Sequence, residues 1–116
     1  MVDVVSFENS EAVSSAGTSL IGTVKTTYGD LVATFGEPTW RIDSRIEGDD
    51  KVNTEWKLEF QVWQDEPWGD IDHHVVTIYD WKLDRTPFGE YDWHIGGNTF
   101  EAIEMVENAI AMGKGN

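Results

Sequence analysis

The segment from Thr54 to Trp63 is the part of the sequence that most constrains the fold. Apolar and polar side chains alternate strictly from Glu55 to Val62, where the apolar residues are Trp56, Leu58, Phe60 and Val62. Successive side chains of a β-strand point to opposite faces of a sheet, so this alternation indicates one buried face and one wet face. The segment therefore predicts a strand of an antiparallel sheet that is covered on one side.

The tripeptide Tyr-Asp-Trp occurs twice, at residues 79–81 and 91–93. The first copy lies in the apolar segment 75–83, which is typical of a central strand, and the second lies in a short strand that begins at residue 91. In a strand, the Tyr and Trp of each copy share one face and the Asp takes the other. We expect two neighbouring strands to stack these rings beneath a helix, with Asp80 and Asp92 facing solvent or bonded to a backbone. The alternatives are a platform for a ligand ring and an aromatic patch that binds protein.

A short helix is predicted from Tyr28 to Phe35, because its apolar residues recur at the helical spacing i, i+3, i+4 and i+7. Thr26 or Thr27 can cap its first turn. Gly36 can adopt the left-handed conformation that ends a helix.

A second helix is predicted near the end of the chain. Asn98 and Glu101 have the spacing of a capping box. The side chains expected to face the core are Phe100, Ile103, Val106 and Ile110.

These elements predict an α+β fold, in which an antiparallel sheet of three to five strands carries two helices in the order strand, helix, strands, helix. Residues 19–113 are expected to form one globular domain that starts with a strand at 19–26, and residues 1–18 a flexible arm or a weak strand. Residues 40–46 are expected to contribute an edge strand. The segment 64–74 is expected to be an acidic loop, and Gly96 or Gly97 to turn the chain at positive φ.

Metal binding and catalysis find little support in the motifs of this chain. Asp70 and Asp72 could meet a divalent cation with one of His73 and His74, but neither the HExxH motif nor an EF-hand spacing is present. We therefore predict no metal and no cofactor. A small enzyme with a carboxylate or histidine centre remains an alternative.

The charge balance limits the choice of partner. The chain has 22 acidic residues against 8 lysines and arginines, a net charge of −14. Direct binding to nucleic acid and to anionic membranes is disfavoured, because both need clustered cations. The absence of cysteine, of a signal-peptide pattern and of a long apolar run predicts a cytoplasmic protein.

Four stretches taken together resemble a pattern in small, acidic, mostly uncharacterised proteins of tailed bacteriophages: TTYGDLVATFGEPTW, EWKLEF, VVTIYDWK and DWHIGGNTFEAIEMVENAI. The resemblance covers residues 20 to 112 and implies the cytoplasm of an infected bacterium, where such proteins often bind host machinery. The helix followed by Gly-Glu-Pro and antiparallel strands is also similar to β-lactamase-inhibitor-protein-like modules, which implies a fold only.

The first hypothesis is a non-enzymatic inhibitor or adaptor that binds a basic host protein of nucleic-acid or defence machinery. Its acidic rows could occupy a cationic groove meant for DNA. The residues assigned to this surface are Glu55, Glu59, Asp65, Glu66, Trp68, Asp70, Asp72, Glu101, Glu104 and Glu107.

The alternative is a small-ligand binding protein, such as a sponge for a nucleotide signal, with its site near His94 to Asn98 or at the interface of a homodimer. The residues assigned to this site are Tyr79, Trp81, Tyr91, Trp93 and His94.

Overall fold

The structure, a computed structural model, describes residues 3–9, 18–41, 54–64, 69–81 and 87–114. Within these ranges the strands are β1 (Asp3–Asn9), β2 (Ser19–Thr27), β3 (Trp40–Arg41), β4 (Thr54–Gln64), β5 (Asp70–Tyr79) and β6 (Glu90–Gly97). The helices are α1 (Tyr28–Phe35) and α2 (Ala102–Lys114).

All pairings in the sheet are antiparallel. Five strands form the path β1-β4-β5-β6-β2, and the two-residue β3 pairs with β4 beside β1. The α+β class, the antiparallel sheet and the two helices are confirmed. The predicted order is only partly correct, because α1 lies between β2 and β3, so that two strands precede it.

The first strand falls within the range interpreted as an arm or weak strand. Strand β1 pairs with β4 over almost its full length. The amide of Asn9 at its end donates to the carbonyl oxygens of Phe35 at 3.1 Å and Glu37 at 2.7 Å, which ties β1 to the end of α1. Residues 10–17 lie outside the described ranges.

Both helices pack on one face of the sheet, which we call the helix-covered face. The alternating residues of β4, Trp56 to Val62, are buried there as predicted, together with Leu31 and Phe35 of α1. The ring of Phe35 lies 6.0 Å from that of Phe60. The opposite face, which we call the open face, carries no helix of the described residues.

Helix α1 begins and ends where the sequence predicted. The Thr27 hydroxyl accepts a hydrogen bond from the Asp30 N–H at 3.1 Å, which satisfies a donor of the first turn. Gly36 has φ of 84°, and its carbonyl accepts a hydrogen bond from the indole N–H of Trp56 at 2.9 Å. The helix end is therefore fastened to the core.

The expectation of an acidic loop at 64–74 was wrong for residues 70–74. Asp70 to His74 belong to β5 and pair with β4 from Phe60 to Gln64. The backbone bonds that β4 offers along its whole length outweigh the low strand propensity of two aspartates.

Two expectations about the end of β6 were also wrong. The strand continues through Gly96 and Gly97, and neither has positive φ. Phe100 is 89% exposed, because α2 begins after it at Ala102 and buries Ala102, Met105 and Ala109 besides the predicted Val106 and Ile110. At the start of α2 the Thr99 hydroxyl, one residue after the predicted cap, accepts from the Glu101 N–H at 3.3 Å.

Candidate functional site

The two Tyr-Asp-Trp copies face opposite sides of the sheet. Tyr79 of β5 pairs with His94 of β6, so Tyr79 shares the open face with His94 while Trp93 points to the helix-covered face. Trp81 is 39% exposed, whereas Trp93 is fully buried. The expectation that all four rings stack beneath a helix was therefore wrong.

The second copy belongs to the core. The ring of Trp93 lies 5.4 Å from Trp56 and 5.3 Å from Tyr91, edge-on in both cases. Such edge-to-face pairs add about 0.5–1.5 kcal/mol beyond the burial of their surface.

The aspartates of the two copies also differ in burial. Asp80 is fully buried, and its carboxylate accepts a hydrogen bond from the Thr54 N–H at 3.0 Å, one of the two expected roles. Asp92 is exposed, which is the other.

Tyr79, Trp81 and His94 form a group of rings on the open face, which we call the open-face cluster. The ring of Tyr79 is stacked on His94 at 5.5 Å, and Trp81 lies 6.4 Å from each of them. Of the five residues assigned to a ligand site, the structure brings these three together and places Trp93 in the core.

Tyr91 lies between the open-face cluster and the core. Its hydroxyl oxygen accepts a hydrogen bond from the Trp81 N–H at 3.2 Å, and its ring lies 6.3 Å from His94. Burial raises the pKa of Tyr91 above its usual value; the bond from Trp81 opposes this rise, and the charges of Asp80 and Asp92 add to it. Tyr91 thus holds the segment after β5 that carries Trp81.

A cavity of about 310 Å³ opens beside the open-face cluster. It is lined by Thr18, Ser19, Leu20, Glu55, Thr77, Tyr79, Trp81 and Gly96. At Gly96 a Cβ would lie 2.5 Å from the Thr77 hydroxyl oxygen and 3.6 Å from the Tyr79 ring. Close packing, not an unusual backbone angle, accounts for this glycine.

Glu55 brings negative charge to this cavity. It pairs directly with Tyr79 across β4 and β5. Burial first, and the Glu55 carboxylate second, raise the pKa of the Tyr79 hydroxyl, so Tyr79 is neutral at pH 7. The cavity therefore combines two ring surfaces with one carboxylate.

Carboxylates exceed ammonium groups along the described strands of the open face. The pairing register puts on this face Glu8, Glu55, Glu59, Glu90 and Asp92, against Lys25 and Lys57. Glu8 stands directly opposite Glu59, an arrangement that destabilises a sheet. The Nδ1 of His73 lies 3.3 Å from the Glu59 carboxylate.

The acidic residues assigned to a partner surface are divided between the two sides of the domain. Glu55 and Glu59 lie on the open face, whereas the acids in α2 and just before it lie on the helix layer: Glu101, Glu104 and Glu107. Asp70 and Asp72 are at the start of β5, where Asp72 is exposed. Asp65, Glu66 and Trp68 lie outside the described residues. One flat partner can contact only one of the two groups.

Sequence reasoning missed Glu8, Glu90 and Asp92 as members of the open face. Glu8 lay in a segment interpreted as an arm or a weak strand, and the face of β6 depends on its register with β5. The alternation around Tyr91 and Trp93 correctly put Asp92 opposite those rings, but it could not say which side the helices cover.

Among the described residues, no group of three or more histidine and acidic side chains could hold a metal ion. His73 and His74 face opposite sides of β5, as expected of neighbours in a strand.

Neither helix in the described ranges is long and apolar enough to cross a membrane. No family model, curated protein or solved structure matches the chain.

Proposed function

We propose that this protein is a binding module without catalytic activity, which captures a positively charged protein through its open face. The observation that carries the proposal is the open-face cluster with Glu55 beside it. A sheet face that carries exposed aromatic rings among carboxylates suits a partner whose surface offers arginine and lysine side chains.

The opposed pair Glu8 and Glu59 supports a role in binding. Like charges directly opposite one another cost stability in an isolated domain. A cationic partner would attract both carboxylates and so offset their repulsion. Long-range attraction between the two proteins would also raise the association rate at low salt.

The setting we propose is the cytoplasm of a bacterial host, with a basic protein of nucleic-acid or defence machinery as the target. The sequence predicted a single acidic surface. Because the structure divides those acids between two sides, we assign the partner to the acids of the open face. The acids of the helix layer then act mainly on solubility and on long-range attraction.

Capture from bacterial lysate, followed by mass spectrometry, tests the proposal. Wild-type protein is immobilised beside the open-face variant Glu55→Gln/Glu59→Gln and the helix variant Glu101→Gln/Glu104→Gln, which loses the same charge. At low salt we expect the wild type and the helix variant to retain a basic protein and the open-face variant to retain less of it. At high salt the basic protein should be lost. Equal retention by all three proteins, or retention that does not respond to salt, would contradict the proposal.

A small-ligand binding protein is the second candidate, and the cavity of about 310 Å³ favours it. That volume is at the lower end of cavities that hold small organic molecules, about 300–1,000 Å³. The one charged residue among the described lining residues is an acid, Glu55, so a neutral or cationic ligand suits the cavity better than a nucleotide. A thermal-shift screen of nucleotides and organic cations distinguishes these classes, since a ligand at about 100 times its Kd adds about 2.7 kcal/mol of stability.

A further inference from the structure

The geometry of the cavity beside the open-face cluster points to one occupant, the guanidinium group of an arginine side chain. This inference rests on the proposed function and deepens it, because it names the chemical group by which the partner is held. It depends on three features of the described residues: the two rings, the carboxylate and the hollow above Gly96.

The rings supply the first part of the site. Tyr79 and Trp81 line the cavity with their centroids 6.4 Å apart and their planes inclined at 72°. The two rings are therefore in an edge-to-face arrangement beside the cavity. The electron-rich faces of Trp and Tyr attract a cation within about 6 Å of the ring centroid.

The carboxylate supplies the second part. Glu55 stands beside Tyr79 in the register of β4 and β5 and lines the same cavity. A guanidinium group can stack on a ring while its N–H groups bond a carboxylate, whereas the compact ammonium of lysine has no flat surface to stack.

The hollow supplies the third part. Gly96 lies in the floor, where a Cβ would collide with the Thr77 hydroxyl at 2.5 Å, and the absence of a side chain leaves the cavity open beside the Tyr79 ring. Leu20 is 58% exposed and also lines the cavity. Its apolar side chain suits the methylene stem of an arginine.

The charges around this cavity agree with a cationic occupant. Among the lining residues in the described ranges, Glu55 is the charged one. Electrostatic complementarity with the Glu55 carboxylate therefore favours a positive group over a phosphate.

The test uses the whole purified chain and three small probes: blocked arginine, blocked lysine and blocked citrulline, the neutral counterpart of arginine with nearly the same shape. Each is titrated against ¹⁵N-labelled protein, and the indole N–H resonance of Trp81, assigned with Trp81→Phe, is followed. We expect blocked arginine to shift this resonance with a Kd of about 1 mM, which is about −4 kcal/mol. Blocked citrulline should leave it unchanged, and blocked lysine should bind more weakly.

The variants locate the site. Glu55→Gln and Tyr79→Ala should each weaken the binding of blocked arginine by about tenfold, and Glu104→Gln, which removes one charge from the helix layer, should leave it unchanged. Tyr79→Ala removes a large ring and can alter the local fold. The result for Glu55→Gln therefore decides the test. The inference is overturned if blocked arginine produces no shift, if citrulline or lysine matches it, or if Glu104→Gln weakens binding as much as Glu55→Gln.

Failure of this inference differs from failure of the proposed function. If blocked arginine does not bind but capture of a basic protein still depends on Glu55 and Glu59, the open face binds its partner by another contact. If capture is also independent of these two residues, both proposals fall.

Discussion

The carboxylate of Asp80 accepts a hydrogen bond from the backbone N–H of Thr54 at 3.0 Å, and both residues are fully buried. This bond joins the end of β5 to the start of β4. Asp92, the corresponding residue of the second Tyr-Asp-Trp copy, lies exposed on the open face.

Asp80→Ala should therefore lower the free energy of unfolding by about 1–3 kcal/mol, because it leaves the Thr54 N–H buried without this acceptor. Asp92→Ala is the matched control and should change stability by less than about 0.5 kcal/mol. Urea unfolding measures both. Equal losses from the two substitutions would mean that the copies are not in opposite orientations.

The tryptophans of the two copies should differ in the same way. Trp93→Ala should lower the free energy of unfolding by about 3–5 kcal/mol or leave the chain unfolded, because it empties a core site beside Trp56. Trp81→Ala removes a ring that is 39% exposed and should preserve the fold. Thermal unfolding compares them, and a greater loss from Trp81→Ala would contradict the assignment of faces.

The aspartates and tryptophans of the two copies show which features of the fold can be predicted from the sequence. Alternation correctly grouped Tyr with Trp in each copy and buried Trp56 to Val62. It could not relate one strand to the next, because the face of a strand depends on register, and a shift of one residue reverses every side chain. The cavity escaped prediction for the same reason, since Glu55, Tyr79 and Gly96 meet only through the pairing of three strands.

Local signals predicted α1 better than the segments around it. The cap at Thr27 and the end at Gly36 follow from chemistry within a few residues. Asp70 to His74 form a strand because β4 lies beside them. This long-range contact cannot be recognised from the local sequence.

Asn9 should be important for stability although it lies near the N-terminus. Its amide bonds the Phe35 and Glu37 carbonyl oxygens, so Asn9→Ala should lower the free energy of unfolding by about 1–2 kcal/mol. Ser6→Ala, an exposed position on the same strand, is the control and should have little effect. Chemical denaturation of both variants decides whether β1 belongs to the cooperative fold; a silent Asn9→Ala would argue that it does not.

Alkaline pH should reduce stability through Tyr79 and Tyr91. Burial raises the pKa of both phenols in the folded state above the usual 10.0. Their contribution is therefore fully present below pH 10 and is lost as pH rises through the folded pKa values, because the unfolded chain releases these protons more readily.

The ultraviolet absorbance of the phenolate measures this titration in the folded protein. Tyr79→Phe and Tyr91→Phe should each remove a component that titrates above pH 10. If the removed component titrates below pH 10, the two phenols are not desolvated as the structure places them.

The central claim is that the open face, and not the helix layer, meets a cationic partner. Its most direct test is the affinity of the captured basic protein for Glu55→Gln/Glu59→Gln and for Glu101→Gln/Glu104→Gln, measured by calorimetry over a range of salt concentrations. We predict that the open-face variant loses about tenfold in affinity at low salt, about 1.4 kcal/mol, with a weaker salt dependence, while the helix variant stays within about twofold of the wild type. A greater loss from the helix variant, or identical losses from both, would contradict the claim.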